Sequence, residues 1–234
     1  MHTNDLIAQL AHHAKPVARL LPPWRRAARW LAASLVYVGI VVAAYLLASG
    51  GLPGSIEPRL VLELAAILAT AITAAIAAFS SVVPGRNRRF LLLPLIPLSV
   101  WLATLGHSCL QDWRLLGVGG LQLRADLDCA IPALIISALP AGTMLLMLRR
   151  GAPLAPAISL ALGVIAAGAV ANLGLRIFHA GDLSTQILVW HGGGAILVSM
   201  IASLVGPRVL HWRAWVTRAC SASPNPVFPE GIVA

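Results

Sequence analysis

The side chains best suited to chemistry lie in or beside one polar break in an otherwise apolar sequence. The break runs from His107 to Cys129 and holds two of the three cysteines. Imidazole and thiolate together form a ligand set that suits zinc, copper(I) and similar soft ions. The candidate sensor or metal residues are therefore Cys109, Cys129, His107, His179 and His191.

No pair among these residues has a motif spacing such as CxxC, so the pattern leaves a second interpretation open. Cys109 and Cys129 would then form a structural disulfide or have no role. His179 and His191 would merely lie at the membrane interface. The sequence predicts no resident cofactor. A soft or transition metal ion is expected, if at all, as a signal.

The composition is that of a protein buried mainly in lipid. Hydrophobic residues make up 59% of the 234 residues and charged residues only 11%, which is typical of integral membrane proteins. About 20 apolar residues cross a bilayer core of about 30 Å. The pattern predicts an all-α bundle of six transmembrane helices, at Leu31–Ser49, Leu60–Val83, Phe90–Leu105, Ala130–Leu148, Leu154–Leu175 and Ile187–Val205.

Small residues every fourth position predict close helix packing in two of these spans. The stripes are Ala65, Ala69, Thr73 and Ala77 in the second span, and Gly163, Ala167 and Ala171 in the fifth. The run Gly192–Gly194 in the sixth span is expected to serve close packing as well. His107–Cys129 is expected to form an exposed loop between the third and fourth spans.

The distribution of Lys and Arg predicts the orientation. Of the seventeen such residues, thirteen fall on the side that holds both termini: Lys15, Arg19, Arg25, Arg26, Arg29, Arg86, Arg88, Arg89, Arg149, Arg150, Arg208, Arg213 and Arg218. Cytoplasmic loops carry the excess of Lys and Arg. Both termini are therefore predicted to be cytoplasmic, and the His107–Cys129 loop to lie outside.

A short amphipathic helix is predicted over residues 3–14, with Leu6, Ile7 and Leu10 on one face. Such a helix is too short to be stable alone in water, so it needs a surface to bind. A partner groove could bury this face; the alternative is that it lies on the inner leaflet. The predicted domains are a cytoplasmic segment 1–26 with the partner-binding helix, a membrane domain 27–211, and a tail 212–234 expected to be disordered.

The order of these pieces resembles the NrsF family, the negative regulators of sigma F. The residues that carry the resemblance are TNDLIAQLA with PV.RL.PPWRR (Thr3–Arg26), CLQDW in the central break, LRRGAPLAP (Leu148–Pro156) and the closing GPRVLHW. The resemblance covers nearly the whole chain to Trp212. It implies a six-span inner-membrane anti-sigma factor that holds an extracytoplasmic-function sigma factor.

The resemblance also implies roles for individual residues. The sigma factor would be contacted by Asp5, Leu6, Ile7, Leu10 and Val17, and Cys129 would match one sensing cysteine. The family often has a cysteine in the loop before the sixth span, where this chain has Ala180 after His179. A two-cysteine switch would therefore need Cys109 as the substitute.

The sequence features distinguish three candidate functions. A small transporter or channel is disfavoured because the spans hold no ionisable residue at mid-depth. A membrane thiol oxidoreductase is disfavoured because no CxxC is present, and no arrangement of catalytic residues indicates an enzyme of another kind. The sequence favours a multi-pass anti-sigma factor of the bacterial inner membrane that binds no nucleic acid directly.

Overall fold

The computed structural model describes residues 20–49, 58–85, 87–117, 127–151, 153, 155–178 and 188–210, together with Ile7 and His12. Within these residues the chain is helical and contains no strand, so the predicted all-α class is confirmed. The six long helices are α1 (Pro23–Ser49), α2 (Pro58–Ser81), α3 (Leu95–Leu116), α4 (Leu127–Arg149), α5 (Pro156–Phe178) and α6 (Gly194–Val209). A 3-10 helix (Arg88–Leu92) precedes α3, and a π-helical turn (Leu188–Gly193) precedes α6.

Five of these helices are long and apolar enough to cross a membrane, and α6 is a shorter apolar helix. The first begins at Pro23 rather than at Leu31. The residues Trp24, Arg25, Arg26, Arg29 and Trp30, which the sequence indicates as an interfacial anchor because Trp and basic residues are enriched at membrane surfaces, are therefore part of the same helix. Proline is favoured at the first helical position because its fixed φ suits the helix and its missing N–H would be unpaired there. The backbone N–H groups of Arg25 and Arg26 both donate to the carbonyl of Pro22, at 3.0 and 3.1 Å.

The prediction of one exposed loop over His107–Cys129 is wrong at both ends. Helix α3 continues to Leu116, and α4 already begins at Leu127. No Gly or Pro interrupts residues 107–116, so the polar residues there extend the helix beyond its apolar part. The helix ends at Gly117, whose φ of +58° lies in the left-handed region that glycine adopts without strain.

Helices α2 and α5 pack against each other in the middle of the bundle. Helix α3 packs on the outside of α2, while α5 also packs against α4 and α6. The predicted stripe of α5 is confirmed, since Gly163, Ala167 and Ala171 are buried. The stripe of α2 is displaced by one residue, because Ala65 is exposed whereas the next residues at the same spacing are buried: Ala66, Thr70, Ala74 and Ala78.

Two glycines lie where helices approach most closely. A Cβ built at Gly206 of α6 would lie 2.8 Å from the carbonyl oxygen of Pro156 at the start of α5. A Cβ at Gly151, in the turn between α4 and α5, would lie 2.7 Å from the Cβ of Val82. The packing role predicted for Gly192–Gly194 is wrong for Gly193 and Gly194, which have no neighbour within 4 Å of such a Cβ.

The two ends of the bundle differ in charge. One end holds the arginines at the start of α1, in the 3-10 helix and at the carboxyl ends of α4 and α6: Arg25, Arg26, Arg29, Arg89, Arg149, Arg150 and Arg208. Glu63 and Asp112, the acidic residues whose side chains are described, lie at the other end. There Arg176 pairs with Glu63 on α2, and Arg59 of α2 donates to Gln111 of α3. We call the first the basic end.

Candidate functional site

The predicted sensor residues are only partly within the described chain. His107 is exposed and Cys109 is half-buried, both on α3 at the end away from the basic end. Cys129 is in the first turn of α4 and His191 in the π-helical turn, but their side chains lie outside the described residues. His179 lies outside them altogether. Side chains two residues apart on a helix do not face each other, so His107 and Cys109 cannot bind the same metal ion without movement of the helix.

The packing of the helices brings some of these residues into one region. The π-helical turn that carries His191 packs against α3, with Gly192 beside Leu102. Helix α4, which carries Cys129, packs instead on α5 and α1. Among the side chains that the structure describes, no three His, Cys, Asp or Glu residues are close enough to hold a metal ion. A site shared by Cys109 and Cys129 stays a prediction.

The predicted partner-binding segment is described at one of its residues. Ile7 is helical and 58% exposed, and His12 is helical and exposed as well. Asp5, Leu6, Leu10 and Val17 lie outside the described residues. The segment precedes α1 directly, so the contacts of α1 fix the point from which it leaves the bundle.

Helix α1 is attached to α4 by three side chains that donate hydrogen bonds to backbone carbonyls. A guanidinium nitrogen of Arg26 donates to Met147, the indole Nε1 of Trp30 donates to Pro140 at 3.0 Å, and the hydroxyl of Tyr37 donates to Ile135 at 2.7 Å. Residues 26, 30 and 37 lie along one face of a helix. The acceptors Met147, Pro140 and Ile135 lie in that order from the carboxyl end of α4 toward its start. Helix α1 is therefore attached to α4 at three separate levels.

The end of α4 explains why one of these carbonyls is available to α1. The last carbonyls of a helix have no donor within it, and the guanidinium of Arg26 supplies one for Met147. The helix also contains Pro132 and Pro140, which lack an N–H, but the carbonyls that they leave unpaired, at residues 128 and 136, are not the ones that α1 uses. Prolines inside a helix are places where it bends.

Sequence reasoning missed this attachment because it treated Trp24–Trp30 as a single interfacial anchor. Trp24, Arg25 and Arg29 are exposed as that interpretation requires. Arg26 and Trp30 are instead only 5% and 1% exposed. The signal that could have found them is their spacing of four residues, which places both on one helix face.

A buried ion pair joins α2 to α5 near the opposite end. The guanidinium Nε of Arg176 lies 3.0 Å from a carboxylate oxygen of Glu63, and the side chains are 13% and 3% exposed. The two charges are far apart in sequence, and only the packing of α2 on α5 brings them together. Further polar connections between the described helices are the hydrogen bonds of Ser81 with Ser159, of Arg149 with the carbonyl of Val209, and of Arg59 with Gln111.

The described chain is all-helical, and several of its helices are apolar and long enough to cross a membrane. This fold is consistent with a multi-pass membrane protein. The chain belongs to the NrsF family, described as "Negative regulator of sigma F", whose model matches residues 10–212. It is therefore a negative regulator of a sigma factor, that is, an anti-sigma factor. No curated protein and no solved structure matched the chain.

Proposed function

We propose that this chain holds an extracytoplasmic-function sigma factor at the cytoplasmic face of the bacterial inner membrane and releases it on a periplasmic metal or redox signal. The observation that carries the proposal is the family match over most of the chain. The charge difference between the two ends of the bundle supports the orientation, because basic residues are enriched on the cytoplasmic side of membrane helices. The basic end would then face the cytoplasm, with both termini on that side.

The partner would be held by Asp5, Leu6, Ile7, Leu10 and Val17. Ile7 is 58% exposed, which supports this proposal, since an exposed apolar side chain gains free energy when a partner groove covers it. Helix α1 follows directly, so it presents this segment from the basic end. The lipid bilayer would hold the complex at the membrane.

Release would pass through α4 and α1. Helix α4 begins beside Cys129, at the proposed outer face, and its other end is connected to α1 through Arg26 and Met147. A signal captured by Cys129, with Cys109, His107, His179 or His191, would displace the start of α4. Because packed helices move as rigid bodies, the displacement would reach the start of α1 and the segment before it.

The test of the partner is affinity purification of the full chain from gently solubilised membranes. The expected result is a co-purifying sigma factor, identified by mass spectrometry, that is absent from a mock purification. Purification of the chain in good yield without any sigma factor would contradict the proposal.

The signal is tested separately, by the dose response of a sigma-dependent reporter to metal ions and to oxidants. Substitution of Cys129 by serine should flatten the response and leave basal repression unchanged. Substitution of Cys220 by serine is the matched control, because this cysteine is proposed to lie on the cytoplasmic side of the membrane. Cys220 lies outside the described residues. An unchanged response in the Cys129→Ser variant would remove Cys129 from the sensing mechanism.

A further inference from the structure

A buried guanidinium at the basic end is only partly satisfied by the protein. Arg26 is 5% exposed, and its Nη2 donates to the carbonyl of Met147. Its carbon Cζ lies 4.6 Å above the ring of Phe79, an attractive cation–π contact. Its Nη1 is buried and has no hydrogen-bond partner among the described residues. The guanidinium therefore keeps donor capacity that the helices around it do not use.

Among the residues that the structure describes, no carboxylate compensates the charge of Arg26. Arg150, at the end of α4, lies close enough for its positive charge to act on the buried guanidinium. The carboxylates of the described chain, Glu63 and Asp112, are at the opposite end of the bundle. A buried charge without a counter-charge is costly, and a second cation nearby raises that cost. Both problems are relieved by one anion that accepts a hydrogen bond from the exposed Arg150 and whose charge offsets that of the buried Arg26 beside it.

The position of the two arginines indicates which anion. Trp24 is 56% exposed, and Arg25 stacks on its ring with 5.0 Å between Cζ and the ring centroid. Exposed Trp and Arg at the end of an apolar helix are typical of the level at which lipid headgroups lie. The fork of an arginine matches the oxygens of a phosphate. We propose that Arg150 binds the phosphate of an anionic phospholipid at the junction of α1 and α4, where the phosphate also offsets the buried charge of Arg26.

The bound lipid would stabilise the contact through which α1 and α4 are joined, because the charge of its phosphate would offset the repulsion between Arg26 of α1 and Arg150 after α4. The proposal rests on the membrane location of the chain and not on its sigma-factor partner. Failure of the co-purification experiment would therefore leave it standing.

The test uses the full chain in nanodiscs of phosphatidylcholine, with and without a fraction of phosphatidylglycerol. Thermal unfolding is followed by tryptophan fluorescence. Phosphatidylglycerol should raise the unfolding temperature, and Arg150→Gln should weaken the lipid response about tenfold in the lipid concentration required, since one charge-assisted hydrogen bond is lost. Arg150 is exposed, so this variant is expected to fold. Arg29→Gln removes the same charge from an exposed position one turn beyond Arg26, and it should keep the response.

A second measurement distinguishes a lipid from a free anion. Native mass spectrometry of the delipidated chain should detect one retained phosphatidylglycerol, and fewer retained lipids with Arg150→Gln. Inorganic phosphate alone, added to detergent solution, should give no comparable rise in unfolding temperature. A response that is equal in wild type, Arg150→Gln and Arg29→Gln would overturn the site. Stabilisation by inorganic phosphate or by a sigma factor, without any by phosphatidylglycerol, would overturn the assignment to lipid.

Discussion

The indole Nε1 of Trp30 in α1 donates a hydrogen bond to the carbonyl oxygen of Pro140 in α4, over 3.0 Å and between residues 110 positions apart. Trp30 is 1% exposed, so the carbonyl that it pairs is shielded from water. This bond lies between the contacts of Arg26 with Met147 and of Tyr37 with Ile135. It is therefore the central one of the three hydrogen bonds that join α1 to α4, the helix that carries Cys129 in its first turn.

Substitution of Trp30 by phenylalanine should destabilise the protein by about 1.5 kcal/mol. The variant keeps an aromatic ring in the core but removes one hydrogen bond to the carbonyl of Pro140, which still accepts from the hydroxyl of Thr143 at 3.2 Å. A hydrogen bond contributes about 0.5–1.5 kcal/mol, and the smaller ring also leaves part of the volume of the indole unfilled. Unfolding in detergent solution measures the change. Trp24→Phe is the control because Trp24 is exposed, and it should change stability by less than about 0.5 kcal/mol. Equal losses in the two variants would remove the hydrogen bond as the cause.

The extent of the helices shows what hydrophobic pattern can and cannot predict. The number, order and class of the helices follow from apolar runs of membrane length. The end of α3 does not follow from them. The polar residues within 107–116 lower the hydropathy of this segment, which therefore predicts a loop, but the segment contains no Gly or Pro and stays helical. The start of α1 at Pro23 is likewise signalled by proline chemistry and not by hydropathy.

The site was less predictable because it depends on which helices become neighbours. Whether Trp30 faces lipid or α4 is decided by the packing of α1. Glu63 and Arg176 each look like a charge near a membrane boundary until α2 and α5 are placed side by side. Stripes of small residues indicate that helices pack closely, but in α2 the buried stripe is one residue from the predicted one.

Substitution of Gly206 by alanine should separate the start of α5 from α6. The added Cβ would lie 2.8 Å from the carbonyl oxygen of Pro156 and 2.9 Å from the Cα of Ala157, and neither backbone atom can move independently. Overpacking of this kind costs about 1–3 kcal/mol. Gly168→Ala, in α5, is the matched control because no atom lies within 4 Å of its Cβ. That variant should be as stable as wild type or more so, since alanine favours a helix interior over glycine. A stable Gly206→Ala variant would contradict the close approach.

Substitution of Glu63 by glutamine should destabilise the protein by about 3 kcal/mol, because it removes the negative charge from a buried ion pair with the guanidinium of Arg176. Unfolding measured at constant pH and salt gives the difference. The double variant Glu63→Gln, Arg176→Gln should recover part of the loss, since both charges are then absent. Arg59→Gln, which breaks a hydrogen bond to Gln111 at the same end, should cost less than about 1 kcal/mol. A double variant no more stable than Glu63→Gln alone would show that charge is not the cause.

The orientation is tested by labelling with an impermeant thiol reagent on spheroplasts. Variants that keep one cysteine each are compared, so that every signal has one origin. Cys129, and Cys109 to the extent that its half-buried thiol is reached, should react from outside, whereas Cys220 should react only after the membrane is opened. Labelling of Cys220 in intact spheroplasts, with Cys129 protected, would invert the proposed orientation.

The partner-binding helix is tested by the double variant Leu6→Ala, Leu10→Ala. If both side chains enter an apolar groove, their truncation should weaken sigma-factor binding by about 1.5–3 kcal/mol for each fully buried leucine. That loss corresponds to at least a hundredfold change in the dissociation constant. Insertion into the membrane should be unaffected, because both residues precede α1. Leu47→Ala, which truncates a leucine that is 86% exposed near the far end of α1, is the control and should retain the partner. Binding measured between the purified chain and its co-purified sigma factor decides the question, and unchanged affinity in the double variant would take residues 6 and 10 out of the interface.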